Sequence, residues 1–297
     1  SPKSHKIVQD YESGVSGKNL NLQNVSFIDL EIHDFIKSLS QELSPINKRN
    51  SKTWNDSLRL LKESEAVIME PHLRDKSGHN LYDFAHELST ALSHVNKDIN
   101  VITDAGLCFY VMGQAFRLSE GQNYTVSGGL GAMGYALPSA IGQSQSHQQL
   151  TVAVSRDGST QMNVQEFATL AELGSNVVYF LINNNGYASI RNTQDSFFGE
   201  RIGSSEETGV LMPNWKKIAQ AYGIRYMRIG RRDKLSPAIQ RAIRKEGPVL
   251  VEVMCQESQK IMPFVANYID ENGSLRSMPL DQMSPRRSSF TMGETMN

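Results

Sequence analysis

From residue 80 onward, short β-branched apolar runs alternate with stretches whose apolar residues recur every three or four positions. Leu81, Phe84, Ala85, Leu88, Leu92 and Val95 lie on one helical face, and an extended run over 99–103 follows. The rhythm continues with a helix over 106–116, a strand over 124–127, a helix over 132–143 and a strand over 150–155. It then gives a helix over 164–173, which Gly174 closes, and a strand over 177–183. Beyond a long polar loop at 184–212 come a helix opened by Pro213 and closed by Gly223, a strand over 224–229, a helix over 235–244 and a strand over 249–254. Strands that are apolar throughout and separated by helices must be covered on both sides. The expected fold is therefore α/β, a doubly wound parallel sheet with helices on both faces. A polar loop as long as 184–212 is expected to be functional.

Before this region, 25–30 reads as a strand, and Ile32, Phe35, Ile36 and Leu39 continue it at helical spacing. Residues 3–24 have no clear periodicity, and 44–57, rich in Ser, Asn, Lys and Arg around Pro45, have the composition of a linker. The first residue is Ser1 rather than Met, which leads to the expectation of a fragment or processed product.

With 30 basic and 31 acidic residues among 297 the formal net charge is -1, so no global field favours nucleic acid or anionic lipid and a small-molecule function is expected. The longest apolar run, 177–182, is too short to span a bilayer, and no signal-peptide pattern opens the chain. Cys108 and Cys255, the only two cysteines, lie in apolar stretches and are expected as core thiols in a reducing, cytoplasmic setting. The seven histidines show no shared metal spacing, and the basic residues of 228–234 are expected on a solvated helix face.

In sheets of this kind, ligands bind outside the carboxyl ends of the strands. Arg156-Asp157-Gly158-Ser159 ends one apolar run and Asn183-Asn184-Asn185-Gly186 ends the next, with 27 positions between Asp157 and Asn184. A carboxylate, an amide oxygen and a backbone carbonyl near Gly186 suit a magnesium ion that also takes phosphate oxygens, the grip required by the tail of thiamin diphosphate. Gly158 and Ser159 are expected to add a backbone amide and a hydroxyl at a helix start, where free N–H groups favour an anion. A rival motif, Gly129-Leu130-Gly131-Ala132-Met133-Gly134, fits GxGxxG after a strand and before Asp157, the pattern of a nicotinamide or flavin site. Against it stand Pro138 early in the following helix and the lack of any use for residues 183–186 in such a site.

Ser127-Gly-Gly-Leu-Gly-Ala-Met-Gly-Tyr-Ala-Leu-Pro-Ser-Ala-Ile-Gly142, with Asp157-Gly-Ser, Met162-Asn, Gln165-Glu and Asn183-Asn-Asn-Gly-Tyr187, resembles the diphosphate-binding domain of thiamin diphosphate enzymes of the acetolactate synthase type. The resemblance runs from about residue 78 to 263. It implies domains at 1–50 (the end of a central domain plus linker), 51–77 (the approach to the main domain), 78–265 (the diphosphate-binding domain) and 266–297 (a C-terminal tail). It also implies roles for matching residues: Asp157, Asn184 and the Gly186 carbonyl as Mg2+ ligands, Gly158, Ser159 and Tyr187 at the cofactor, and the Gly131 carbonyl accepting from the cofactor's amine. Met133 matches the strut that bends the cofactor, a task suited to a bulky, adaptable side chain. No activating glutamate is expected in this chain. Glu166 follows the diphosphate motif on a helix and is expected to face solvent or cap locally, and the family's glutamate belongs to a pyrimidine-binding domain supplied by the same or another chain of a homo-oligomer.

Three departures argue against acetolactate synthesis itself: Arg156 stands where the family has the first Gly of Gly-Asp-Gly, Leu107-Cys108 replaces a Gln-His pair at the diphosphate, and Thr193 replaces an acceptor-selecting Trp. Residues 185–194, Phe197-Phe198-Gly199 and the tail 272–285 resemble synthase-like proteins of surface-polysaccharide pathways more closely, which implies a keto-acid or keto-sugar substrate. Tyr187, Phe197 and Phe198 are candidates to line an acceptor pocket or to pack the loop. The remaining alternatives are a noncatalytic assembly or regulatory subunit of the same fold, and the dinucleotide protein using residues 129–134.

Overall fold

The computed structural model describes residues 6–9, 25–28, 30–43, 52–64, 75–95, 98–147, 150–265 and 267–278. They fall into two compact units, Ser1–Glu65 and Ala66–Asn297. In the first, β1 (Lys6–Gln9) pairs in parallel with β2 (Val25–Ile28), and α1 (Ile32–Leu43) and α2 (Lys52–Ser64) follow. The strand and helix expected over 25–43 are present, but the unit differs from expectation in two places. The aperiodic opening contributes β1, a strand too short to show a period. The linker composition runs into α2, where Leu, Lys, Arg and Glu, all good helix formers, outweigh the polar look of the segment. Residues 44–51, the rest of that linker, lie outside the described residues.

The second unit is built on one six-stranded parallel sheet: β3 (Ile99–Thr103), β4 (Gln122–Val126), β5 (Leu150–Arg156), β6 (Val177–Asn183), β7 (Arg225–Ile229) and β8 (Val249–Met254). Its order is β4-β3-β5-β6-β8-β7, with every pairing parallel. Alternation along the buried strands divides their side chains between two cores. Val152, Val154, Val178, Phe180 and Ile182 pack with α3 (Leu81–Ser93), α4 (Leu107–Ala115) and α10 (Leu235–Ile243) on one face. Ala153, Val177, Tyr179 and Leu181 pack with α5 (Ala136–His147), α7 (Glu166–Leu173) and α9 (Trp215–Ala221) on the other. The doubly wound sheet is therefore as the periodicity implies. Among the described residues no helix is long and apolar enough to cross a membrane.

Element bounds depart from the sequence reading where polar residues form structure. The helix after β4 starts at Ala136, not 132, because 127–135 make a glycine-bearing turn in which Gly131 (φ 60°) and Gly134 (φ 84°) take left-handed conformations. The loop expected over 184–212 contains α8 (Ala188–Phe197), whose buried positions are Ala188 and Arg191. A helix anchored by one alanine and one arginine leaves no apolar stripe to read. After the last sheet strand, β9 (Asn267–Ile269) and β10 (Leu275–Ser277) form a hairpin whose turn is held by Asp270 accepting from the Asn272 and Ser274 amides. Residues 279–297 of the expected tail lie outside the described residues.

The chain leaves β3 toward the β4 edge and returns to β5 on the other side of β3, so the connections diverge between β3 and β5. Ligands of open α/β sheets bind at such a point, beyond the strand carboxyl ends.

Candidate cofactor site

Three strand ends converge there. Asp104 follows β3, Asp157 follows β5 in the four-residue helix α6 (Asp157–Thr160), and Asn184 follows β6. All three are buried, with exposures of 0%, 0% and 2%.

Asp157 is held by its own neighbourhood. Its Oδ1 accepts from the Gly158 amide at 2.7 Å and its Oδ2 from the Gly186 amide at 2.8 Å, so one carboxylate ties the β5 end to the β6 end. Burial raises its carboxyl to about 6, against the two amides and the guanidiniums of Arg156 and Arg191, which pull it down. Each carboxylate oxygen still has a lone pair for a cation. The Gly158 amide, expected to face an anion, is engaged by Asp157 instead, and α6 is too short to offer an extended helix start. What Gly158 contributes is space: a Cβ there would lie 2.3 Å from the Tyr187 ring.

The 183–187 turn is equally determined. Asn183 Nδ2 donates to Glu252 Oε1 at 2.6 Å and its Oδ1 accepts from the Asn185 amide, while Asn185 (φ 59°) and Gly186 (φ 115°) take positive φ. A Cβ on Gly186 would stand 2.5 Å from the Ser204 carbonyl. Arg191 from α8 reaches under the turn, donating from Nη2 to the Asn184 carbonyl (2.7 Å) and from Nη1 to the carbonyls of Asn185 (2.8 Å) and Ser204 (3.0 Å). With its backbone pinned this way, Asn184 presents a side-chain Oδ1 that is buried and has no hydrogen-bond partner. Ser159 Oγ is in the same condition. The Gly186 carbonyl accepts one weak bond, from the Ala188 amide at 3.2 Å.

Asp104 and Arg191 are not among the site residues expected from the sequence, although both organise the site. The Asp104 carboxylate accepts from the amides of Ala105 (2.8 Å), Gly134 (3.0 Å) and Ala136 (3.1 Å) and from Ser155 Oγ (2.9 Å). It thereby joins β3, the 127–135 turn, the start of α5 and β5. An aspartate at a strand end was the available clue. Asn163 Nδ2 adds a bond to the Gly134 carbonyl at 3.0 Å. The tip of the turn stands clear: Leu130 is 92% exposed and Met133 38%. Gly131 donates to the Ser127 carbonyl at 2.8 Å, and a Cβ on Gly131 would meet nothing within 4 Å. Met133 and Gly131 therefore lie on a separate, open element beside the buried Asp157–Asn184 pair.

Of the three loop aromatics, Tyr187 packs over Gly158. Phe198 lines a cavity of about 680 Å³ with Ile190, Thr193, Gln194 and Ile202, and Phe197 is not among its walls. Glu166, in the first turn of α7, accepts from Thr169 Oγ1 at 3.0 Å, an exposed side-chain pair within the helix rather than a cap. Both cysteines are buried free thiols. Burial pushes the Cys108 thiol up to about 12 and the Cys255 thiol well above its usual range, so neither is a nucleophile. The basic residues Arg228, Arg231, Arg232 and Lys234 are exposed, but on the end of β7 and the turn before α10 rather than on a helix face, because the helix begins only at Leu235. Among the described residues no three His, Cys, Asp or Glu side chains are grouped to hold a metal, so a cation here must be held by the mixed carboxylate, amide and carbonyl set. That set fits a hard cation, because its amide oxygen is buried, fixed and unpartnered.

The model of the thiamine pyrophosphate enzyme C-terminal TPP-binding domain matches residues 104–253, which contain Asp104, Asp157 and Asn184. The acetolactate synthase large subunit of Porphyra purpurea is 33% identical over 181 residues, covering 61% of this chain and 30% of that protein. That of Cyanidium caldarium is 27% identical over 260 residues, 86% of this chain and 43% of that protein. That of Lactococcus lactis subsp. lactis is 27% identical over 241 residues, 80% and 40% respectively. The chain spans less than half the length of these relatives. A matched stretch that begins at Asp104 and ends within β8, together with the sheet order and the convergence of β3, β5 and β6 ends, shows that the chain belongs to the C-terminal TPP-binding domain family of thiamine pyrophosphate enzymes.

Proposed function

We propose that the chain holds the diphosphate tail of magnesium-bound thiamin diphosphate and supplies half of the active site of a 2-keto acid decarboxylase or carboligase. The observation that carries this reading is the unpartnered, buried Asn184 Oδ1 beside the doubly anchored Asp157 carboxylate, an acceptor that lacks only a cation. Asp157, Asn184 and the Gly186 carbonyl hold the metal ion, and the Ser159 hydroxyl donates to a phosphate oxygen. Tyr187 closes the β5 end above Gly158. Met133 projects from the open 127–135 turn as the strut, with the Gly131 carbonyl beside it. When bound, thiamin diphosphate supplies an electron sink for carbon–carbon bond cleavage and formation. The chain's own contribution is to bind, orient and desolvate. Proton removal belongs to a glutamate of a pyrimidine-binding domain, from the same or another chain. The Thr193–Phe198 cavity suits a keto-acid or keto-sugar acceptor, and homo-oligomeric assembly in the cytoplasm accompanies this reading.

The dinucleotide reading of residues 129–134 is disfavoured on two grounds. A fingerprint strand of that kind is central and its helix start receives a pyrophosphate. Here β4 is the sheet edge, and the first amide of α5 already donates to the carboxylate of Asp104.

Calorimetric titration with thiamin diphosphate tests the proposal. Binding is expected to be strengthened by magnesium, and that strengthening is expected to be lost in Asp157→Ala and in Asn184→Ala. Undiminished binding by both variants would overturn it.

A further inference from the structure

Strand parity sends Ser155 and Arg156 in opposite directions. Ser155 turns to the α5 face and donates to Asp104, whereas Arg156 follows Val152 and Val154 to the α4 face. There its guanidinium meets the start of α4. A Cβ on Gly106, the residue before that helix, would lie 2.5 Å from Arg156 Nη2 and 3.2 Å from Ser189 Oγ. Gly106 (φ 72°) thus leaves the room that the guanidinium fills. Arg156 is only 2% exposed, yet its Nε and Nη1 are buried without a partner, and so is Ser189 Oγ. Asp157, the neighbouring carboxylate, attracts the guanidinium by charge but accepts no hydrogen bond from these groups; its bonds come from the amides of Gly158 and Gly186.

A buried guanidinium with idle N–H groups is costly unless an acceptor arrives. The first amides of α4, a nine-residue helix, add free donors on the same side. Leu107 and Cys108, buried and apolar, offer no side-chain acceptor. Among the idle groups of the site, the Arg156 N–H groups can only donate, Asn184 Oδ1 can only accept, and the Ser159 and Ser189 hydroxyls are able to donate. Such a set complements an oxyanion that carries its own cation.

Resting on the cofactor reading above, we propose that Arg156 is a second, protein-borne cation for the bound diphosphate, seated between Gly106 and Ser189. It takes over the task that side chains at 107 and 108 cannot perform. It also lessens the dependence of diphosphate binding on the metal ion.

Calorimetric titration of the natural full-length protein with thiamin diphosphate, in magnesium and then in EDTA, tests this in wild type, Arg156→Met and Arg156→Lys. Melting of each unliganded protein is followed in parallel. Arg156→Met keeps the apolar stem and is expected to weaken binding about ten- to hundredfold, the range for hydrogen bonds to a charged group. The loss should be larger in EDTA, and Arg156→Lys should recover part of it. The unliganded Arg156→Met protein should melt no lower than wild type, because the N–H groups it removes are buried without a hydrogen-bond partner. Wild-type affinity in Arg156→Met overturns the proposal. So does a fall in both affinity and melting temperature that Arg156→Lys leaves unrepaired, which would mark a structural arginine. If wild type takes no thiamin diphosphate, the cofactor reading fails separately, and inorganic pyrophosphate decides the arginine. Pyrophosphate binding lost in Arg156→Met supports it, whereas binding retained there, or absent from wild type, sinks it.

Discussion

Asp157 is a buried acid whose value of about 6 exceeds the 3.8 of an ordinary aspartate. Between these two values the folded chain keeps a proton that the unfolded chain has released. Its contribution to stability therefore falls as pH rises through that window and is constant above it. A cation needs the carboxylate form, so magnesium affinity should strengthen over the same window. Urea unfolding in EDTA and magnesium titration, each at pH 5 and pH 7.5, should show these opposite trends. Asp104 serves scaffold rather than ligand. Asp104→Ala strands the amides of Gly134 and Ala136 and the Ser155 hydroxyl in a buried setting and should cost about 3 kcal/mol in denaturant unfolding. These residues differ in how far the sequence reveals them. Asp157 and Asn184 stand out because each ends a long apolar run in a turn motif. Asp104 ends an equally clear run over 99–103, but three of its four partners lie 30 to 51 positions away, and no local pattern encodes a carboxylate bonded to a distant turn.

At the scale of elements, the strands of the sheet were legible because burial on both faces leaves continuous β-branched runs, and 99–103, 177–183 and 249–254 match to the residue. Helix α8 was not, since its buried side is an arginine that hydrogen-bonds carbonyls rather than an apolar stripe. The start of α5 was misplaced because the Gly-rich turn borrows its closing acceptor from Asp104. The β5–α6 corner and the β6–α8 turn fit each other through one missing side chain: the Tyr187 ring occupies the place of a Gly158 Cβ. Gly158→Ala should push the ring out and separate the corners, costing about 2 kcal/mol in unfolding and weakening cofactor binding in calorimetry. Tyr187→Ala combined with Gly158→Ala should recover much of the stability, because the clash then disappears.

For the molecule as a whole, the family match and the sheet account for a cofactor-holding unit, while the chain covers less than half of its acetolactate synthase relatives. On the proposed reading, a pyruvate decarboxylation assay of this chain alone should give no turnover, and adding a pyrimidine-binding domain with its glutamate should restore it. Turnover without that domain would show that the proton-removing group lies within these residues. The sheet that positions the site is also open at both ends of its order. Its last strand, β7, is short and carries Arg225 and Arg228, both exposed, along a border that no other strand among the described residues pairs with. Two copies approaching edge to edge would bring like charges together, a cost that disfavours strand pairing across this border.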